Sequence, residues 1–243
     1  MNFQIDFFSI SFVILIIHLT VVVPVTGFLG HKKLKHHIAP GTNTKLKEYQ
    51  QIIIWSWATA LLILLLILLP DVRIQDFGFR CITINTTLSN WIVRPFLVLC
   101  VVWFCYNVYM MVALMVSKKA RDDVSKKIPD DVKTYLPVTK QEKKNWVYVA
   151  LTAGTTEEII YRSYLFFAFA KLFPTLSNLH ILLISTFLFG IGHIYQGKEV
   201  IKPAILGLLF GFSYILFDSI IPAMVLHISQ DLVVVNLVDE DEA

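Results

Sequence analysis

Hydrophobic positions fall along this chain in long unbroken runs, with the polar positions gathered into short stretches between them. The runs are Phe7–Leu29, Ile52–Leu69, Trp91–Val116, Trp146–Leu172, Leu179–Tyr195, Ala204–Phe217 and Ile220–Val238. An α-helix needs about 17–25 apolar residues to cross the hydrocarbon core of a bilayer. Six runs meet that length. The sixth in order, Ala204–Phe217, is short and is expected to tilt or to pack inside a bundle. The pattern therefore predicts an all-α fold, a polytopic transmembrane helix bundle of about seven spans. No Lys or Arg precedes the first run, and it is long for the core of a signal peptide. It is expected to be a retained helix.

Composition removes the alternatives. The chain is 56% hydrophobic and 16% charged, against roughly 45–50% and about 25% in soluble domains. Its mean hydropathy is +0.66. Disorder requires low hydrophobicity and high net charge, and the net charge here is only +3. The basic residues lie in loops between apolar runs, so a nucleic-acid partner is not expected. Membrane lipid is. Cys81, Cys100 and Cys105 give an odd count with no disulfide framework and no zinc-ligand spacing.

Lys and Arg in short loops set orientation. The first loop carries Lys32, Lys33, Lys35, Lys45 and Lys47, and the second only Arg73 and Arg80. The third is densely basic from Lys118 to Lys144. This alternation places the amino terminus outside and the acidic tail Asp239–Glu242 in the cytoplasm. Arg121–Gln141 reads as a solvated cytoplasmic linker. Three parts follow: amino-terminal spans with basic loops (1–145), spans that carry polar motifs (146–238), and the tail (239–243).

Ionisable residues inside a span are costly, roughly 2.5–3.5 kcal/mol for Arg, Lys or Asp at a helix centre, and they mark pairing or function. Here they concentrate late in the chain. The fourth span holds Glu157, Glu158 and Arg162, the fifth Phe189 and His193, the seventh His227 and Asp231. Glu158 and Arg162 stand at i and i+4, the favourable order for an ion pair. Glu157 projects about 100° away. It is either an unpaired carboxylate suited to general-base work or a third member of a structural network around Arg162. His227 and Asp231 also share a face. Glu157, His193, His227 and Asp231 could form a metal-free acid/base and oxyanion site. They could equally bind zinc. Spacing leaves both open. Gly207 and Gly211 form a G-x-x-x-G, a device for close helix packing.

Three ordered segments, Glu157-Glu158…Arg162, Phe189…His193 and His227…Asp231, resemble the CPBP family of CAAX proteases, bacteriocin-processing enzymes and abortive-infection proteins. The words around His193 (Gly192 to Gly197) and before His227 (Pro222 to Leu226) are similar as well. The resemblance runs from Trp146 to about Val238. It implies an intramembrane endopeptidase acting on a peptide or protein substrate, which in the prenyl-protease branch is lipidated. Glu157 would activate a water with help from His193. His227 and Asp231 would hold the oxyanion or complete the site. Glu158 and Arg162 would form a supporting ion pair, and Phe189 would pack against the site. The family pattern takes Asn or Asp where Asp231 stands. A metal-free site with Asp231 orienting His227 is favoured over zinc. The short chain points to a bacterial inner membrane. Two rivals stand beside the protease: a non-catalytic immunity or binding protein on the same scaffold, and a proton-coupled transporter. Neither internal repeats nor broken helices, the usual signs of a transporter, occur in the sequence.

Overall fold

The computed structural model describes residues 7–37, 43–70 and 72–238. The acidic tail lies outside the described residues. Among those residues the regular structure is helical, with no strand. Its elements are α1 (Phe7–Ile17), α2 (Val23–His37), α3 (Thr44–Leu64), α4 (Asn90–Val116), α5 (Lys118–Ser125), α6 (Asp130–Lys133), α7 (Lys140–Glu158), α8 (Leu165–Leu172), α9 (Asn178–Gly192), α10 (Ile201–Phe217) and α11 (Ile220–Leu232). A π turn, His18–Val22, joins α1 to α2, and a second, Ile159–Tyr164, joins α7 to α8.

Among the described residues, four helices are long and apolar enough to cross a membrane: Phe7–Lys35, Thr44–Leu68, Asn90–Val116 and Ile194–Phe217. Two shorter apolar helices, Asn178–Gly192 and Ile220–Asn236, complete six of the seven expected spans. The expected fourth span is also helical, running through α7, the π turn and α8. Glu157, Glu158 and Arg162 lie in its middle, so it is not a plainly apolar segment. The boundary between the fifth and sixth spans differs from the hydropathy pattern. The expected fifth span ran to Tyr195, but α9 ends at Gly192. Ile194–Val200 is a 3-10 stretch leading into α10, with Gly197 at φ 61°. The sixth span is thereby longer than the apolar run suggested, because amphipathic residues extend it at its start.

Local chemistry fixes the helix starts. Thr139 accepts a hydrogen bond from the Glu142 backbone N–H and Glu142 reaches back to Thr139, a reciprocal cap that begins α7. Ser177 and Ser219 cap α9 and α11. The chain before α4 folds onto the corner between α10 and α11. Thr83 and Asn85 donate backbone N–H groups to the carbonyls of Phe217 and Leu216, and Ile220 donates to Gly78. Arg80 Nη1 lies 2.9 Å from both carboxylate oxygens of Asp218. Gly78 stands at φ 75°, where a Cβ would come within 2.5 Å of the Tyr214 ring, so both conformation and space call for glycine.

The main core joins the two ends of the sequence. Phe8, Phe12, Leu15 and Leu19 of the first span are buried with Ile159, Tyr164, Leu165 and Phe169. The Phe12 and Phe169 rings meet edge to face at 5.2 Å. α7 packs against α3 and α11, and α10 against α9 and α11. The outward faces of the long helices stay apolar: Trp55, Leu62, Leu68, Trp91 and Val116 are all exposed. In water such a surface would drive association. In a bilayer it is the surface that lipid covers.

Candidate active site

The last turn of α7, which ends in Glu157 and Glu158, opens directly into the Ile159–Tyr164 π turn. Such turns widen a helix and recur at functional sites. Glu158 is the last residue of α7, and Arg162 lies inside the π turn. Both side chains are 0% exposed, and Arg162 Nη1 donates to Glu158 Oε1 at 2.9 Å. The i, i+4 pair read from the sequence is present.

The pair does not stand alone. His227 Nδ1 donates to the same Glu158 Oε1 at 2.7 Å. Arg162 Nη2 donates to the Gly207 carbonyl at 2.9 Å. One carboxylate thus ties α7, the π turn and α11 together, and its arginine ties them to α10. Phe189 lies beneath the guanidinium at 4.5 Å and Phe210 at 5.8 Å, both within cation–π range. Phe210 also stacks on the His227 ring at 4.7 Å.

This anchoring leaves His227 Nε2 facing two other carboxylates. Glu157 Oε2 lies 3.8 Å away and Asp231 Oδ2 3.6 Å away. The exposures separate the groups: the Glu157 side chain is 25% exposed and Asp231 30%, against 7% for His227. Two accessible carboxylates therefore converge on one face of an imidazole whose other nitrogen is buried and fixed. The sequence reading had Asp231 orienting His227. In the structure Nδ1 is held by Glu158, and Asp231 sits at the opposite nitrogen.

His193 lies at the end of α9. Its Nδ1 is 2.8 Å from the Phe189 carbonyl, four residues earlier. A carbonyl only accepts, so Nδ1 carries a hydrogen, and the neutral ring presents its lone pair at Nε2. Phe189 is buried, with its ring 4.6 Å from His193, 5.0 Å from Tyr161 and 6.1 Å from His227. It forms the apolar floor between the two histidines.

Close backbone approach holds the helices at this distance. A Cβ on Gly154 would lie 2.8 Å from the backbone N of Ile228, so α7 and α11 nearly touch one residue from His227. A Cβ on Gly207 would lie 2.9 Å from the Phe189 ring and 3.1 Å from Arg162 Nη2. Asn107 of α4 donates to Ser229 Oγ at 3.1 Å, and Trp146 Nε1 to the Asp231 carbonyl at 2.9 Å. Sequence reasoning gave no role to Gly154, Phe210, Asn107 or Trp146. It read Gly207 as a packing glycine, without its carbonyl's role towards Arg162. Among the described residues, no group of three or more His, Cys, Asp or Glu is arranged to hold a metal ion.

Fold and site define a helical bundle with a membrane-facing exterior and a histidine–carboxylate cluster at the junction of α7, α9 and α11. Residues 141–233 match the model of the type II CAAX prenyl endopeptidase Rce1-like family. That stretch contains every motif residue from Glu157 to Asp231, and it agrees with the resemblance carried by the three motifs. No curated protein and no solved structure matches the chain. The apolar helices together with this match support an integral membrane protein that carries, over residues 141–233, a region similar to that family.

Proposed function

We propose that the chain is an intramembrane endopeptidase that hydrolyses peptide bonds at Glu157, His193, His227 and Asp231. One observation carries the reading: two adjacent glutamates occupy opposite environments. Glu158 is buried and doubly hydrogen-bonded, while Glu157 is accessible, beside a fixed imidazole. Glu158 and Arg162 support the site, with Phe189 as its floor.

In this mechanism Glu157 takes a proton from a water molecule, and the His193 Nε2 lone pair orients that water. The water oxygen attacks the scissile carbonyl carbon, giving a tetrahedral oxyanion. The C–N bond then breaks as the leaving nitrogen takes the proton held by Glu157. The products are a carboxyl group and a free amine. His227 is placed to stabilise the oxyanion. Its Nδ1 hydrogen is committed to Glu158, so donation from Nε2 requires the doubly protonated ring. Asp231, and Glu157 until it takes the proton, supply the balancing charge. No step in this mechanism needs a metal. The substrate class that fits is a membrane-associated, CAAX-type lipidated peptide whose tail stays in the bilayer while the peptide enters the wet part of the bundle.

Purified protein incubated with a peptide library, wild type beside Glu157→Gln, tests the reading. The wild type is expected to release defined products, and the near-isosteric variant to fold, insert and release none. Chelators are expected to leave wild-type cleavage intact, and Asp231→Asn to retain measurable activity. Wild-type rates from Glu157→Gln would remove Glu157 from the role of base.

A further inference from the structure

The amino-terminal half of the chain carries no catalytic motif, yet its first span meets a side chain that lies beside the site. Tyr195 follows His193 by two residues on the 3-10 stretch, and the two rings stack at 6.2 Å and 29°. Tyr195 also lies within electrostatic reach of both Glu157 and Asp231. It also meets residues from elsewhere. The Tyr135 ring of the cytoplasmic linker is 5.8 Å away, and the His31 ring of α2 is 6.3 Å away. His31 and Tyr135 stack on each other at 5.3 Å and 14°. A Cβ on Gly27 would come within 2.7 Å of Tyr195 Cδ1, so the ring lies directly on the backbone of the first span.

The backing is itself anchored. Tyr49 of α3 donates its hydroxyl to the Tyr135 carbonyl, and Lys45 Nζ donates to the Leu136 carbonyl at 2.9 Å. Lys45 also pairs with Glu142 at 3.6 Å. The linker is thereby fastened to α3 and to the start of α7, with Tyr135, His31 and Tyr195 in mutual ring contact. His193 has its Nδ1 tied to its own helix. Beyond Phe189, the aromatic neighbour that steadies its ring is Tyr195.

We propose that Tyr195 is a positioning residue for His193, and that Gly27, His31 and Tyr135 hold it in place. On this view the first span and the linker set the geometry of a site whose motifs all lie elsewhere. The inference rests on the endopeptidase reading for its kinetic arm only. A water oriented by His193 Nε2 must sit in line with the scissile carbonyl, and a displacement of about 1 Å costs on the order of 100-fold in rate.

The test compares Tyr195→Leu, Tyr195→Phe and Gly27→Ala with wild type, by peptide cleavage and by histidine side-chain NMR. The His193 resonance is identified by its loss in His193→Gln. Tyr195→Leu is expected to lower kcat by about 10- to 100-fold with KM within about threefold, and to shift the His193 resonance. Tyr195→Phe keeps the ring and is expected to restore both. Gly27→Ala, on a different span, is expected to shift the same resonance by moving the Tyr195 ring. Wild-type kcat and an unmoved His193 resonance in Tyr195→Leu would overturn the proposal. If the wild type cleaves no peptide, the endopeptidase reading fails by itself and the resonance alone decides: a shift in both Tyr195→Leu and Gly27→Ala supports the positioning role, and no shift refutes it.

Discussion

At the scale of single residues, the site depends on what Glu158 does with one oxygen. Its Oε1 accepts from both Arg162 and His227. Removing one member of a buried charged pair strands the other, at about 3–5 kcal/mol. Arg162→Met is therefore expected to lower the melting temperature sharply in detergent. Glu158→Gln should also destabilise, and the double variant should lose less than the two single changes summed. A thermal-shift cycle checks this, and strict additivity would deny the coupling. The part of this network that lies on one helix was legible in the sequence, because a spacing of four residues puts Glu158 and Arg162 on one face. The bond from His227 to Glu158 was not. It joins residues 69 positions apart, and no local periodicity fixes the rotation of one helix against another. For the same reason the spacing that puts Asp231 on the face of His227 could not say which ring nitrogen it would meet; it stands near Nε2.

At the scale of elements, helix spacing positions the chemistry. α7 and α11 approach at Gly154 and Ile228 so closely that any side chain on Gly154 meets backbone. Backbone cannot rotate aside as a side chain can, so Gly154→Ala must push α11 away and carry His227 with it. Overpacking of this kind costs typically 1–3 kcal/mol. The expected outcome is a lower melting temperature and reduced cleavage, whereas the neighbouring half-buried Ala153 should accept Gly with little loss of activity. Full activity in Gly154→Ala would show that the spacing is not critical. Hydropathy marked the helices well, since each apolar run overlaps a helix. It missed the two π turns and the end of α9, where the sequence stays apolar through Ile194 and Tyr195 although the helix stops. A hydrophobic run reports burial or lipid contact. It does not report where backbone hydrogen bonding changes register.

At the scale of the whole molecule, the basic loops predict which face meets the cytoplasm. The linker Arg121–Gln141 is proposed to be cytoplasmic and the loop before α4 external. A cysteine at Ser125, in a chain lacking Cys81, is expected to resist impermeant thiol reagents in intact cells and to react after lysis. Ready labelling of intact cells would invert the arrangement. The hydrogen-bonded corner near Gly78 has a consequence for continuity of the chain. Thr83, Asn85, Arg80 and Ile220 fasten the first half to the α10–α11 corner at one end of the bundle. Asn107 and Ser229 join α4 to α11, and the first span is buried against α8. Connectivity through the exposed Lys126–Lys127 stretch is then dispensable once the bundle has assembled. Two separately translated fragments, ending at Lys126 and starting at Lys127, are expected to co-purify through an affinity tag on either one. Their recovery as unassociated pieces would show that the peptide linkage, and not the corner, keeps the halves together.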